Sequence, residues 1–132
     1  MDTFLGKWKL KKEVNFDNFL KFSGVPWFQR RIAKHNKLKI LIETWEEVYI
    51  KSVTSPLYNT EEILKLDNKC RRYDKYVKKF YTQDNIIFAD VKYKDSISWN
   101  EEVSIKEGFL VNKYIWIKNN ERHLAVQFFH RE

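Results

Sequence analysis

Short runs of β-branched and aromatic residues, each closed within about ten residues by a turn, fill this chain from residue 38 to its end. With one more run at the start, strands are expected near 4–13, 38–44, 47–54, 58–66, 69–74, 76–82, 86–93, 97–106, 109–118 and 122–130. The punctuation is Trp45-Glu46, Ser55-Pro56, Asp67-Asn68, Asp74-Lys75, Asp84-Asn85, Lys94-Asp95 and Asn119-Asn120. Asp and Asn tolerate left-handed backbone, and here they stand in for glycine, of which there are only three. Evenly spaced strands on hairpin-length connections imply an up-and-down antiparallel order, and closing such a sheet removes its exposed edges. The expected fold is all-β, a ten-stranded antiparallel barrel.

One helical pair interrupts the pattern after the first strand. Asn15 is a suitable N-cap and Asp17 suits the positive end of the helix dipole. Phe16, Phe19 and Leu20 fall at i, i+3 and i+4 and so share a face. Gly24 stops this helix, and Pro26 opens a second that runs from Trp27 to about His35. Phe28, Ile32 and Ala33 lie on one side of it; Arg30, Arg31 and Lys34 lie mostly elsewhere. A barrel wall does not need two helices to be complete. Residues 15–35 therefore read as a helix-turn-helix lid, and a lid implies an interior worth closing.

At 132 residues, without linker, repeat or low-complexity stretch, residues 1–132 form a single domain. Aromatics at 17% exclude a disordered chain and are numerous enough to line a cavity as well as a core. Cys70 is the only cysteine and fits a reducing compartment. Met1-Asp2-Thr3 has no basic start or apolar run, so no secretory signal is expected, and no stretch reaches the ~20 apolar residues of a membrane span. The net charge of +7 fits either plain solubility or attraction to an anionic partner. His35, His123 and His130 are scattered, without metal-ligand spacing, and no nucleophile motif or phosphate loop is present, so neither an enzyme nor a cofactor is expected.

Several of these residues, in order, resemble the intracellular lipid-binding proteins, which include cytosolic fatty-acid-binding and cellular retinoid-binding proteins. The resemblance begins with Phe4-Leu5-Gly6-Lys7-Trp8-Lys9-Leu10 and continues through Asn15-Phe16-Asp17, Gly24-Val25, Arg30 with Ala33, Ile42-Glu43 and Asn59-Thr60-Glu61. It spans essentially the whole chain, tightly to about residue 66. It implies a flattened ten-stranded barrel with a helical lid, and a monomer that carries an apolar small molecule through the cytoplasm, without catalysis. That molecule would be a fatty acid, a retinol or a similar lipid.

Acid-binding relatives end in Arg-x-Tyr on the last strand, with a second Arg two strands earlier. Here the matching stretch is Gln127-Phe128-Phe129, which is similar to the retinol-binding branch. Ungapped alignment puts Glu107 at the second Arg position, on one face with Val103 and Ile105. A one-residue slip would put Lys106 there, and Glu107-Gly108 also reads as a turn. An inward Glu107 would repel a free carboxylate, so the favoured guest has an uncharged polar head that meets Gln127. The resemblance places Phe16, Leu20, Ala33 and Leu57 near the portal or the guest's tail, although as a stripe they read equally as core. Lys21, Arg30 and Arg31 resemble a basic patch for anionic membranes or for passage into the nucleus; a solvated helix face is the plain alternative.

The rival from another class is a single-stranded nucleic-acid-binding barrel that uses basic and aromatic surface residues. No RNP-like element supports it, and nucleic acid is not the expected partner. Cys70, between Lys69 and Arg71-Arg72, reads as an inert thiol.

Overall fold

The computed structural model describes residues 2–33, 37–55, 59–94 and 96–132, the side chains of Asp2, Ile32 and Ala33 excepted. A 3₁₀ turn over Asp2–Phe4 leads into β1 (Gly6–Val14), α1 (Phe16–Phe22) and α2 (Trp27–Ala33). Nine strands follow. They are β2 (Lys39–Trp45), β3 (Val48–Thr54), β4 (Asn59–Leu64), β5 (Cys70–Tyr73) and β6 (Tyr76–Gln83), then β7 (Ile86–Lys94), β8 (Ile97–Lys106), β9 (Phe109–Lys118) and β10 (Glu121–Arg131). All pair antiparallel in one sheet of order β4-β3-β2-β1-β10-β9-β8-β7-β6-β5. The ten expected strands are all present, with ends shifted by a residue or two.

The hairpin turns follow from backbone chemistry. Glu46-Glu47, Asp84-Asn85, Glu107-Gly108 and Asn119-Asn120 each place both central residues at positive φ, as tight right-twisted hairpins require. Asn, Asp and Gly adopt this cheaply; Glu46 and Glu47, at φ 48° and 68°, do not. Trp45, expected in that turn, is instead the last residue of β2.

Strand alternation turns one face of every strand inward. Trp8, Leu110 and Phe129 are fully buried in the core, as is Phe4, whose carbonyl accepts a 3.0 Å bond from the Trp8 indole. The Arg131 guanidinium lies 4.1 Å from the centre of the Trp8 ring and donates to the Leu5 and Thr3 carbonyls, which seals the end opposite the helices. At the other end α1 packs Phe19 against Tyr114 (4.5 Å between ring centres), Trp99 (5.2 Å) and Trp116 (5.6 Å).

Two details of the lid differ from expectation. Asn15 is left-handed (φ 61°) and makes no side-chain cap; its amide donates to the Leu124 carbonyl of β10, which ties α1 to the barrel. Phe28, read from the sequence as part of the apolar side of α2, is 68% exposed. Gly24 ends α1 as expected: at φ 90° it brings the Val25 amide to the Leu20 carbonyl at 2.9 Å.

β4 and β5 are the two ends of the sheet and do not pair with each other. Side chains cross this seam. Lys78 of β6 meets Glu62 of β4 at 2.7 Å, and the Tyr73 hydroxyl of β5 donates to the Ile63 carbonyl at 2.9 Å.

Candidate functional site

The barrel is hollow. A cavity of about 530 Å³ lies beneath α1, roofed by Phe16 and Phe19, with Leu38, Ile40, Val53 and Trp99 on its apolar walls. This is within the range of small-molecule sites, roughly 300–1,000 Å³. A further 20 Å³ lies deeper, between Ile42, Leu64, Phe80, Ile87 and Leu110, too little for more than a methyl group or a water. Lys51, Glu62, Glu101 and Asn112 border both spaces and form a polar belt at the middle of the barrel.

One row of paired positions crosses four strands, and three of its members are polar. Glu13 of β1 pairs with Gln127 of β10, Gln127 with Asn112 of β9, and Asn112 with Val103 of β8. Directly opposed residues on one face of a sheet hold their Cβ atoms about 5 Å apart, so the two amides face the interior side by side. Gln127 is 1% exposed; its Oε1 accepts from the Tyr114 hydroxyl at 2.8 Å, and its Nε2 donates to Glu13 Oε2 at 2.7 Å. Burial pushes the Glu13 carboxyl above its ordinary value, and the bond from Gln127 offsets this only in part. Asn112 is 4% exposed, and its Oδ1 has no hydrogen-bond partner among the described residues. A buried acceptor without a donor costs about 1–3 kcal/mol, which a guest hydroxyl or a water would recover.

The second polar group is ionic. Lys78 and Glu62 meet at 2.7 Å with side chains 14% and 20% exposed. Glu101 of β8 accepts a 2.8 Å bond from the Trp99 indole. Burial pulls the Lys78 ammonium down, but Glu101 and then Glu62 outweigh it and hold the lysine above its ordinary value. Lys51, beside Glu62 across β3 and β4, has no ion-pair partner among the described residues. No arginine lines the cavity among the described residues.

The expected site residues divide. Phe16 and Gln127 line the cavity. Leu20 packs on the core beneath α1, and Phe129 is wholly buried in it, without lining the cavity. Ala33 falls on α2 without a described side chain, and Leu57 lies outside the described residues. The inward placement of Glu107 or Lys106 is corrected. β8 ends at exposed Lys106, and Glu107 sits at φ 54° in the turn to β9, exposed, at the end of the barrel away from the helices. The inward β8 residue in the row of Gln127 is Val103. Lys21 and Arg31 are exposed, the latter stacked on exposed Trp27 at 5.2 Å. Arg30 does not share that surface: its side chain is 16% exposed, donates to the Val25 carbonyl at 3.0 Å and lies 3.5 Å from Asp17, so it ties α2 to α1. Glu13, Lys51, Glu62, Lys78, Glu101, Asn112 and Tyr114 escaped the sequence reading, because each reads as one polar residue within an alternating strand. No cluster of three or more potential metal ligands exists among the described residues.

A fatty-acid-binding protein of Clonorchis sinensis is 36% identical over 62 residues, which is 47% of this chain and 47% of that protein. Fatty acid-binding protein homolog 3 of Caenorhabditis elegans is 26% identical over 129 residues, 98% of this chain and 68% of that protein. Fatty-acid-binding protein 1 of Echinococcus granulosus superposes with a TM-score of 0.86 at 18% identity, over 99% of this chain and 98% of that one. This is the fold of the intracellular lipid-binding family, and the resemblance read from the sequence is supported. No protein-family model matches the chain. The matched segments span about half the length of the Clonorchis protein and about two thirds of the Caenorhabditis one. This chain surrounds an interior space with a ten-stranded sheet and covers one end with two helices.

Proposed function

We propose that this protein binds and carries an apolar small molecule with an uncharged polar head, as a monomer in the cytoplasm and without catalysing a reaction on it. The carrying observation is the pair of facing amides in the cavity wall, one of which has an orphaned acceptor. A guest hydroxyl suits both: it donates to Asn112 Oδ1 and accepts from the second N–H of Gln127. An ionised carboxylate offers only acceptors, leaves Asn112 Oδ1 unsatisfied, and enters a wall that includes Glu62 and Glu101. Tail burial supplies most of the affinity. Ten methylenes contribute about 8 kcal/mol before the costs of binding, against about 8.2 kcal/mol net for micromolar affinity. The head group then selects the guest.

One observation favours a second reading. Lys51 is an inward cation without an ion-pair partner among the described residues, and a fatty carboxylate would fit it. Competition between hexadecanol and hexadecanoic acid at neutral pH, in wild type and in Lys51→Met, separates the two. Preference for the alcohol, unchanged by the substitution, supports the amide seat. Preference for the acid, lost in Lys51→Met, rejects it. Native mass spectrometry of the purified protein, with extraction of co-purified lipid, tests the carriage itself.

A further inference from the structure

Two carboxylates and one ammonium share this cavity wall, and one of the carboxylates touches the ammonium. Lys78 projects inward from β6, Glu62 from β4 and Glu101 from β8, so the three approach from separate strands rather than from one local turn. Lys78 and Glu62 are both largely buried and in contact at 2.7 Å. Glu101 is fixed by the Trp99 indole at 2.8 Å and lines the same cavity as Lys78, without an ion pair to it among the described residues. An ion pair in this setting is costly to desolvate and adds little net stability over an apolar pair of the same volume, so stability alone does not account for it. Its chemical effect is definite. A buried lysine would otherwise be a ready counter-ion for a guest carboxylate, and here it is already engaged.

Resting on the reading that the guest's head is uncharged, we infer that Glu62 and Glu101 are specificity-determining residues: Glu62 occupies Lys78, Glu101 adds a second negative charge to the same wall, and together they withhold the ammonium from a guest carboxylate. Neither glutamate contributes affinity for the preferred guest. Each raises the cost of the wrong one, since an acid must displace a carboxylate from Lys78 or sit beside two of them.

The test uses the full chain as wild type, Glu101→Gln, Glu62→Gln, the double variant, and the double variant with Lys78→Met; Lys51 is kept throughout. Hexadecanoic acid and hexadecanol are titrated against each by displacement of an environment-sensitive dye at neutral pH. The double variant is expected to gain about tenfold or more for the acid, the worth of one hydrogen bond to a charged group, with hexadecanol held within about threefold. Adding Lys78→Met is expected to erase the gain. Unchanged acid affinity in a folded variant overturns the inference, as does a gain that survives Lys78→Met. If the double variant does not fold, Glu62→Gln alone decides by the same criteria, because it removes the carboxylate in contact with Lys78. Wild-type preference for the acid would defeat the uncharged-head reading, whereas the difference between wild type and variants decides the part played by the two glutamates.

Discussion

Replacing Gln127 with leucine is the most direct test of the polar row. The side chain is 1% exposed and makes two hydrogen bonds, at 2.8 Å from Tyr114 and 2.7 Å to Glu13. A neutral hydrogen bond is worth about 1 kcal/mol and one to a charged group about 1.5–3, so the gross loss is about 2.5–4 kcal/mol. Leucine of similar volume returns about 1.5 kcal/mol by apolar burial. The expected net destabilisation is therefore about 1–2.5 kcal/mol, a drop in Tm of roughly 3–8 °C for a domain of this size. Urea unfolding followed by circular dichroism, with m unchanged, measures it. Gln127→Glu sharpens the test: the shape and the Tyr114 bond persist, but a second carboxyl now faces Glu13. Its stability should fall more steeply than that of wild type as pH rises and the pair ionises. Wild-type stability in Gln127→Leu, together with an unchanged pH slope in Gln127→Glu, would refute the buried network.

Three other outcomes are expected. Glu13 has a folded pKa raised above its unfolded value near 4.5, so the folded state binds more protons at this site, and the contribution of this group to stability declines as pH rises through that window; Glu13→Gln should remove that decline, read as the difference from wild type in urea titrations run across it. Arg30→Met should cost about 1–2 kcal/mol, because it breaks the tie between the helices, whereas Arg31→Met on the exposed face should stay within about 0.5 kcal/mol by the same unfolding assay. Glu46→Asn with Glu47→Gly should stabilise the protein by about 1–2 kcal/mol in thermal melts, since both glutamates hold left-handed backbone that Asn and Gly adopt at lower cost.

The strands were legible because both strand signals agree, alternation of side chains and Asp/Asn at the breaks. Gln127 was legible too, since it occupies a recognisable place on the last strand. Glu107 was misplaced because side-chain parity runs unbroken through a two-residue turn: Val103, Ile105 and Glu107 count as one face although the strand ends at Lys106. Only the backbone dihedral separates those cases. Asn15 deceived in a related way, as its sequence suits a cap while its left-handed backbone sends the amide to β10 instead. The ionic belt was out of reach for another reason. Glu13 and Gln127 are 114 residues apart, and Lys78 and Glu62 are 16 apart, so no local window contains either partnership.

The strand order has a consequence for how the chain is threaded. Every neighbour in β4-β3-β2-β1-β10-β9-β8-β7-β6-β5 is also a neighbour in sequence, except for the single junction of β1 with β10. That junction brings residues 7 and 132 together, with the Glu132 amide bonded to the Lys7 carbonyl at 2.9 Å. Joining the ends with a short linker and cutting within 65–69 would produce a circular permutant that is one uninterrupted meander from β5 to β4. No ladder would be severed, the most remote pairing would become local, and folding would speed up as contact order falls.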